Sequence, residues 1–183
     1  MTNDLDHIIQ GCIKNDPQAQ SQLYEMYSPV LYGLCLRYLK RIDRAEDVLI
    51  ESFYKILTRL HTYQNHGSFE GWMKRITINE ALMELRKNHA LKLFVELDPG
   101  IEQTDTSNIL SQLQFEELLG LIEELPDGYR TIFNLYVIEG YKHREIAELL
   151  NISIHTSKSQ LILAKRRLKE AIEKKINKVK RFQ

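Results

Sequence analysis

An all-α fold is predicted for this chain: two small helical domains joined by an acidic linker, the C-terminal one a helix-turn-helix. Three observations predict it. Helix breakers are few, with four prolines and eight glycines in 183 residues. Apolar residues recur at three- and four-residue spacing, and strict apolar–polar alternation is scarce. Charge is unevenly placed although the formal net charge is zero. Leu93 to Leu125 holds eight acidic residues and no Lys or Arg, whereas Ile152 to Gln183 holds ten Lys or Arg against two acids, Glu170 and Glu173. A neutral chain with one basic end points that end at a polyanion and the rest at a different partner.

The elements follow in order. A first helix is expected over Leu5–Lys14. Asn15-Asp16-Pro17 ends it and starts a second, with Asp16 as N-cap and Pro17 at the first helical position. The second helix carries Leu23, Met26, Tyr27, Val30, Leu31, Leu34, Cys35 and Tyr38 as an apolar stripe, with a possible kink at Ser28-Pro29. A third runs from about Asp43 to Leu60 on Val48, Leu49, Phe53, Ile56, Leu57 and Leu60. After a polar, aromatic loop (His61–Gly67), Ser68 has the character of an N-cap for a fourth helix through Trp72, Ile76, Asn79 and Leu82 to about Lys87. This sets a first domain at 1–88.

Residues 89–109 form the acidic linker, with a turn at Asp98-Pro99-Gly100. The second domain, 110–183, opens with a helix on Leu113, Leu118, Ile122 and Leu125, stopped at Pro126. Tyr129–Ile138 is the next helix, and Glu139-Gly140-Tyr141 a turn. His143–Leu150, the tight turn Asn151-Ile152-Ser153 and a basic helix from Ile154 to about Lys174 make a helix-turn-helix. Asn151 suits a left-handed position and Ser153 a cap. Leu161, Ala164, Leu168 and Ile172 form the apolar face of the last helix. The other face is read as His155, Thr156, Lys158, Ser159, Gln160, Lys165 and Arg166, cations for phosphates and polar groups for base edges.

A second nucleic-acid candidate is the loop and helix His61–Lys87. Tyr63, His66, Phe69 and Trp72 are aromatic, and Lys74, Arg75, Arg86 and Lys87 basic, the mixture that stacks unpaired bases and tracks a backbone. The acidic group Asp43, Glu46, Asp47 and Glu51 lacks any Glu-x-x-His companion, so it reads as a solvated or partner-facing surface and not a metal site. A Gly-rich phosphate loop and a nucleophile motif are absent, which leaves no catalytic residue and no cofactor or metal to assign. Cys12 and Cys35 lack the spacing of a metal or redox pair. Met1–Asp6 is polar and no run of about 18 apolar residues occurs, so no membrane insertion and a cytoplasmic location are expected.

Three blocks, in this order, resemble the extracytoplasmic-function group of the sigma-70 family, from about Gln20 to Ile172. The first is Ala45-Glu46-Asp47-Val48 with Glu51-Ser52-Phe53; Ile50 stands where the family usually has Gln, and Arg44 where it often has Asp. The second is Ser68-Phe69-Glu70-Gly71-Trp72-Met73 through Ile76 and Asn79 to Arg86, with Met83 at a frequent acid. The third is Leu125-Pro126-Asp127-Gly128-Tyr129-Arg130, Glu139-Gly140-Tyr141, Glu145-Ile146-Ala147 and Thr156-Ser157-Lys158-Ser159, with Ser157 at a usual Val and Leu163 at a frequent Arg.

The resemblance implies an RNA polymerase sigma factor. Glu46, Asp47, Ile50 and Glu51 would meet the clamp helices of the largest subunit of core RNA polymerase. Tyr63, Asn65, His66, Ser68, Trp72, Arg75, Asn79, Arg86 and Lys87 would hold melted −10 promoter DNA. His155, Thr156, Lys158, Ser159, Gln160, Ile162, Lys165 and Arg166 would read the −35 element, where the Leu163 change bears on the sequence read. An anti-sigma factor is a possible further partner. The alternatives are a polymerase-independent helix-turn-helix transcription regulator and a helical interaction protein without DNA function.

Overall fold

The computed structural model describes residues 2–64, 66–87 and 115–180. No strand occurs among the described residues. Asn65 and the whole expected linker, 89–109, lie outside them. The chain divides into two compact units, Met1–Lys87 and Asn88–Gln183.

The first unit holds α1 (Thr2–Ile13), α2 (Pro17–Leu39), α3 (Ile42–Arg59), a 3₁₀ turn (Leu60–Thr62) and α4 (Phe69–Lys87). Asp16 caps α2, its carboxylate accepting the Gln18 N–H at 3.0 Å. Pro29 sits within α2 without ending it. Leu23, Leu31, Leu34, Cys35 and Tyr38 are buried as expected, but Met26 and Val30 are 50% and 43% exposed. They lie to one side of the 23–31–34–38 line, so the core stripe is narrower than apolar spacing implied. At Gly11 the first two helices close on each other: a Cβ there would stand 2.6 Å from that of Ala19.

Helices α2, α3 and α4 pack mutually around Leu31, Leu34, Phe53, Ile56, Met73, Ile78 and Leu82. Two ion pairs bind α3 to α4 at the margin of this core, Arg44–Glu84 at 2.7 Å and Lys55–Glu80 at 2.6 Å. Cys12 and Cys35 are buried free thiols, and burial pushes that of Cys35 up to about 12. Both behave as small core side chains.

The second unit holds α5 (Phe115–Glu124), α6 (Asp127–Phe133), a π-helical turn (Asn134–Ile138), α7 (His143–Leu150) and α8 (Ile154–Lys180). Helices α5, α6 and α7 all pack on α8. The helix expected over Tyr129–Ile138 widens in its last turn, where Glu139 N–H donates to the Asn134 carbonyl, five residues back, at 2.9 Å. Gly140, at φ 77°, then lets the chain reverse. Buried Arg130 fastens the start of α6, donating to the Leu125 carbonyl at 2.9 Å and to Asp127 at 2.7 Å. Asn151 takes the left-handed conformation expected of it (φ 55°, ψ 51°), and Ser153 Oγ accepts the Thr156 N–H at 2.9 Å. Leu161, Ala164, Leu168 and Ile172 are buried as the sequence pattern requires. The helix itself continues to Lys180, beyond the expected end near Lys174.

Candidate nucleic-acid and protein interfaces

Burial of Ala45, Val48, Leu49, Phe53 and Ile56 fixes how α3 faces solvent. Glu46, Asp47, Ile50 and Glu51 consequently share one exposed arc. Glu51 pairs with Lys55 at 3.3 Å, while Glu46 and Asp47 have no ion-pair partner among the described residues. Asp43 is held below the usual carboxylate range by its hydrogen bond from Arg41. Ile50 and Tyr54 are 63% and 65% exposed on this face. Beside them runs a groove of about 430 Å³, lined by Tyr24, Ser28, Pro29, Tyr32, Glu46, Leu49 and Ile50. The face is thus acidic around an apolar centre, a mixture that the spacing of the carboxylates alone does not reveal.

In the loop before α4, the Tyr63 hydroxyl donates to the Gly67 carbonyl at 3.0 Å, where Gly67 takes φ 105°. The Tyr63 ring meets Phe69 at 5.1 Å and Trp72 at 5.4 Å between centroids. Phe69 is core and Trp72 half-buried. Tyr63 therefore belongs to the frame of the loop, with ring and hydroxyl both engaged. Ser68 is engaged likewise, accepting the Gly71 N–H at 3.0 Å as the expected cap. His66 is exposed, and Asn65 lies outside the described residues. On α4, Trp72, Arg75, Asn79, Met83 and Arg86 fall at i, i+3, i+7, i+11 and i+14, which places them in one stripe. Lys87 flanks it, 3.7 Å from Glu84. Tyr27, edge-on to Phe69 at 5.8 Å, supports this cluster from α2. Sequence spacing gave no sign of it.

On α8 the expected face needs correction. His155, Lys158 and Arg166 are exposed, and Ile162 and Lys165 half-buried. Thr156, Ser159 and Gln160, assigned to the same face, are only 3%, 6% and 1% exposed. Their positions on the helical wheel fall toward Leu163 and Ala164, which pack inward, and not toward Lys158. Thr156 Oγ1 lies 2.8 Å from Ser153 Oγ, and Ser159 Oγ donates to the Thr156 carbonyl at 3.1 Å. These polar groups serve the turn and the core, so a list of polar residues overstated the outward face. Leu163, 4% exposed, is also core, so its change from a frequent Arg does not present a new side chain outward.

The solvent row is His155, Lys158, Ile162, Lys165, Arg166 and Lys169, the last missed from sequence. Two nearby cations are directed elsewhere. The Arg167 guanidinium sits 5.2 Å from the Tyr129 ring centre, and Lys175 pairs with Glu117 of α5 at 3.1 Å. His143, also missed, stands where the π turn, α7 and α8 meet. Its Nδ1 is 2.9 Å from Ser157 Oγ, and Tyr136 stacks on it at 4.4 Å. Burial, then Lys158 and Lys165, hold its pKa below the ordinary histidine value.

No group of three or more metal-ligating side chains occurs among the described residues. Among them, no helix is long and apolar enough to cross a membrane.

Comparison with known proteins finds two family models, one in each part of the chain. Residues 23–90 match the family model of Sigma-70 region 2, and residues 115–168 that of Sigma-70 region 4. The chain is 28% identical to the ECF RNA polymerase sigma factor SigM of Bacillus subtilis, over 85% of this chain and 96% of that one. It is 28% identical to SigW of the same organism, over 89% and 91%. Identity to the ECF RNA polymerase sigma-E factor of Haemophilus influenzae is 26%, over 92% and 93%. Among solved structures, the fold resembles that of the sigma factor RpoE, crystallised with the anti-sigma factor NepR from Bartonella quintana. The TM-score is 0.53 at 19% identity, covering 84% of this chain and 96% of that one. With two sigma-70 regions in order and full-length ECF relatives, the chain belongs to the extracytoplasmic-function group of the sigma-70 family, the RNA polymerase sigma factors of transcription initiation.

Proposed function

We propose that the three faces divide the work of initiation as follows. The α3 arc, Glu46, Asp47, Ile50 and Glu51, docks on the clamp helices of the largest polymerase subunit. The loop around His66 and the α4 stripe of Trp72, Arg75, Asn79 and Arg86 takes the melted −10 strand, on a frame set by Tyr63 and Ser68. The α8 row of His155, Lys158, Ile162, Lys165 and Arg166, extended by Lys169, lies in the major groove of the −35 element. Residues 1–88 form the polymerase and −10 domain, 110–183 the −35 domain, and 89–109 the acidic tether between them. The chain acts in the cytoplasm and makes and breaks no bonds itself. An anti-sigma protein is a further partner by likeness to RpoE and CnrH, solved with NepR and with the cytosolic domain of CnrY.

The observation that carries the −35 assignment is the make-up of the α8 surface. Lys158, Lys165, Arg166 and Lys169 share one side with no ion pair among the described residues, while Arg167 stacks on Tyr129 and Lys175 pairs with Glu117; Lys174 is exposed away from that row. Phosphate neutralisation needs the first kind. Run-off transcription tests the whole reading, with purified core polymerase on genomic fragments, with and without the chain. New start sites should depend on the chain and be lost with Lys158→Glu. Tight, specific promoter binding by the chain without polymerase would favour a stand-alone regulator.

A further inference from the structure

Helix α8 is held at its N-terminal turn by a contact that no motif assigns. Ser157 is fully buried in the first turn of α8, and its hydroxyl lies 2.9 Å from His143 Nδ1 on α7. The other face of the imidazole is covered by Tyr136, 4.4 Å away and tilted by 24°. One ring thus joins the π turn, α7 and α8 immediately behind Lys158. We propose that His143 is a positioning residue: through Ser157 it sets the angle at which α8 presents Lys158 and Lys165 to the −35 element.

Helices α7 and α8 pack together and bury Ile146, Ala147 and Leu150 of the one and Leu161 of the other, and apolar burial is non-directional and tolerates small rotations. A hydrogen bond between side chains 14 residues apart has a fixed length and direction, so it selects one rotation. A Val at position 157, usual in the family pattern, has no hydroxyl and makes no such bond. The charges that bear on the ring are Lys158 and Lys165 of α8. On α7 itself, Glu145 accepts the Lys142 N–H at 2.7 Å, and Arg144 pairs with Glu148 at 3.4 Å. Burial first, and then the two lysines, push the ring's pKa down, which favours its neutral form, and a neutral ring leaves phosphate attraction to the outer row. The role predicted for His143 is therefore aim, not charge.

The inference rests on α8 being the −35 reader, and the test separates the two. Holoenzyme is bound to a promoter fragment recovered by the run-off experiment and to the same fragment with its −35 element scrambled. Ser157→Ala and His143→Phe should each lower the cognate-to-scrambled affinity ratio about three- to tenfold, the range of one hydrogen bond. Scrambled-fragment affinity and the helical content of the chain should stay at wild-type levels. The double variant should lose no more than either single one, and Ser157→Thr, which keeps the hydroxyl, should restore the ratio. A wild-type ratio in Ser157→Ala, additive losses in the double variant, or failure of Ser157→Thr to rescue would each overturn the proposal. Lys158→Glu is the arm for the underlying reading: if it too leaves cognate binding unchanged, α8 is not the reader at all.

Discussion

The salt dependence of promoter binding follows from which cations of α8 are free. Lys158, Lys165, Arg166 and Lys169 form the row, whereas Arg167 and Lys175 are turned to Tyr129 and Glu117. If each cation of the row neutralises one phosphate, α8 contributes a slope of about −3.6 to log K against log salt, at about −0.9 per phosphate. A fourfold rise in salt then weakens this part of the interaction roughly 150-fold. Lys158→Ala should reduce the slope by about 0.9, and the same salt step should then weaken it only roughly 40-fold. Lys175→Ala should leave the slope unchanged. The measurement is fluorescence anisotropy of labelled −35 DNA with wild-type and variant holoenzyme from low to moderate salt. The polymerase's own phosphate contacts are common to both and cancel in the difference. An unchanged slope for Lys158→Ala, or an equal drop for Lys175→Ala, would refute the assignment of the α8 face.

Three further outcomes are expected. Tyr63→Phe keeps the ring between Phe69 and Trp72 but removes the bond to the Gly67 carbonyl, so permanganate footprinting should show several-fold less −10 opening while stability falls by only about 1 kcal/mol. Gly11→Ala brings a methyl to 2.6 Å from Ala19 Cβ and should destabilise the first unit by about 1–3 kcal/mol in urea titrations, whereas Gly33→Ala, with open space around it, should be neutral or stabilising by up to about 1 kcal/mol. His143 binds its proton less readily in the folded chain than in the unfolded one, so stability of the second unit should be constant above the ordinary histidine value of 6.5 and decline as pH falls through the depressed folded value; His143→Phe should remove that decline in thermal melts.

Much of the fold was legible because it is carried by local chemistry. The Asp16-Pro17 start of α2, the Ser68 and Ser153 caps and the left-handed Asn151 are each decided within a few residues. So is the inner face of α8, where apolar spacing names Leu161, Ala164, Leu168 and Ile172. What failed was the inference from polar to outward. Thr156, Ser159 and Gln160 are small or uncharged and all three are buried, Thr156 and Ser159 with bonds inside the turn and the start of α8 that a one-dimensional pattern does not show. Met26 and Val30 fail in the opposite sense, since they lie to one side of the line of α2 that the core covers. His143 was invisible for the same reason: its role is set by a residue 14 positions away.

The departures from the sigma-70 pattern sort by location. Arg44 is matched within the chain by Glu84 at 2.7 Å, Ser157 by His143 at 2.9 Å, and Leu163 by the core around it. Each substitution inside the fold is accommodated within its own domain, so none of them presents a new side chain directly to a partner. Ile50 and Met83 are of another kind, 63% and 44% exposed, on the arc assigned to polymerase and the stripe assigned to −10 DNA. An exposed apolar side chain at the centre of an acidic face gains free energy only when something covers it, about 25 cal/mol for each Å² removed from water. Their complements therefore belong to the surfaces they meet. Ile50→Gln should weaken polymerase binding while leaving the melting temperature unchanged, and a matching loss of stability would show instead that Ile50 serves the fold.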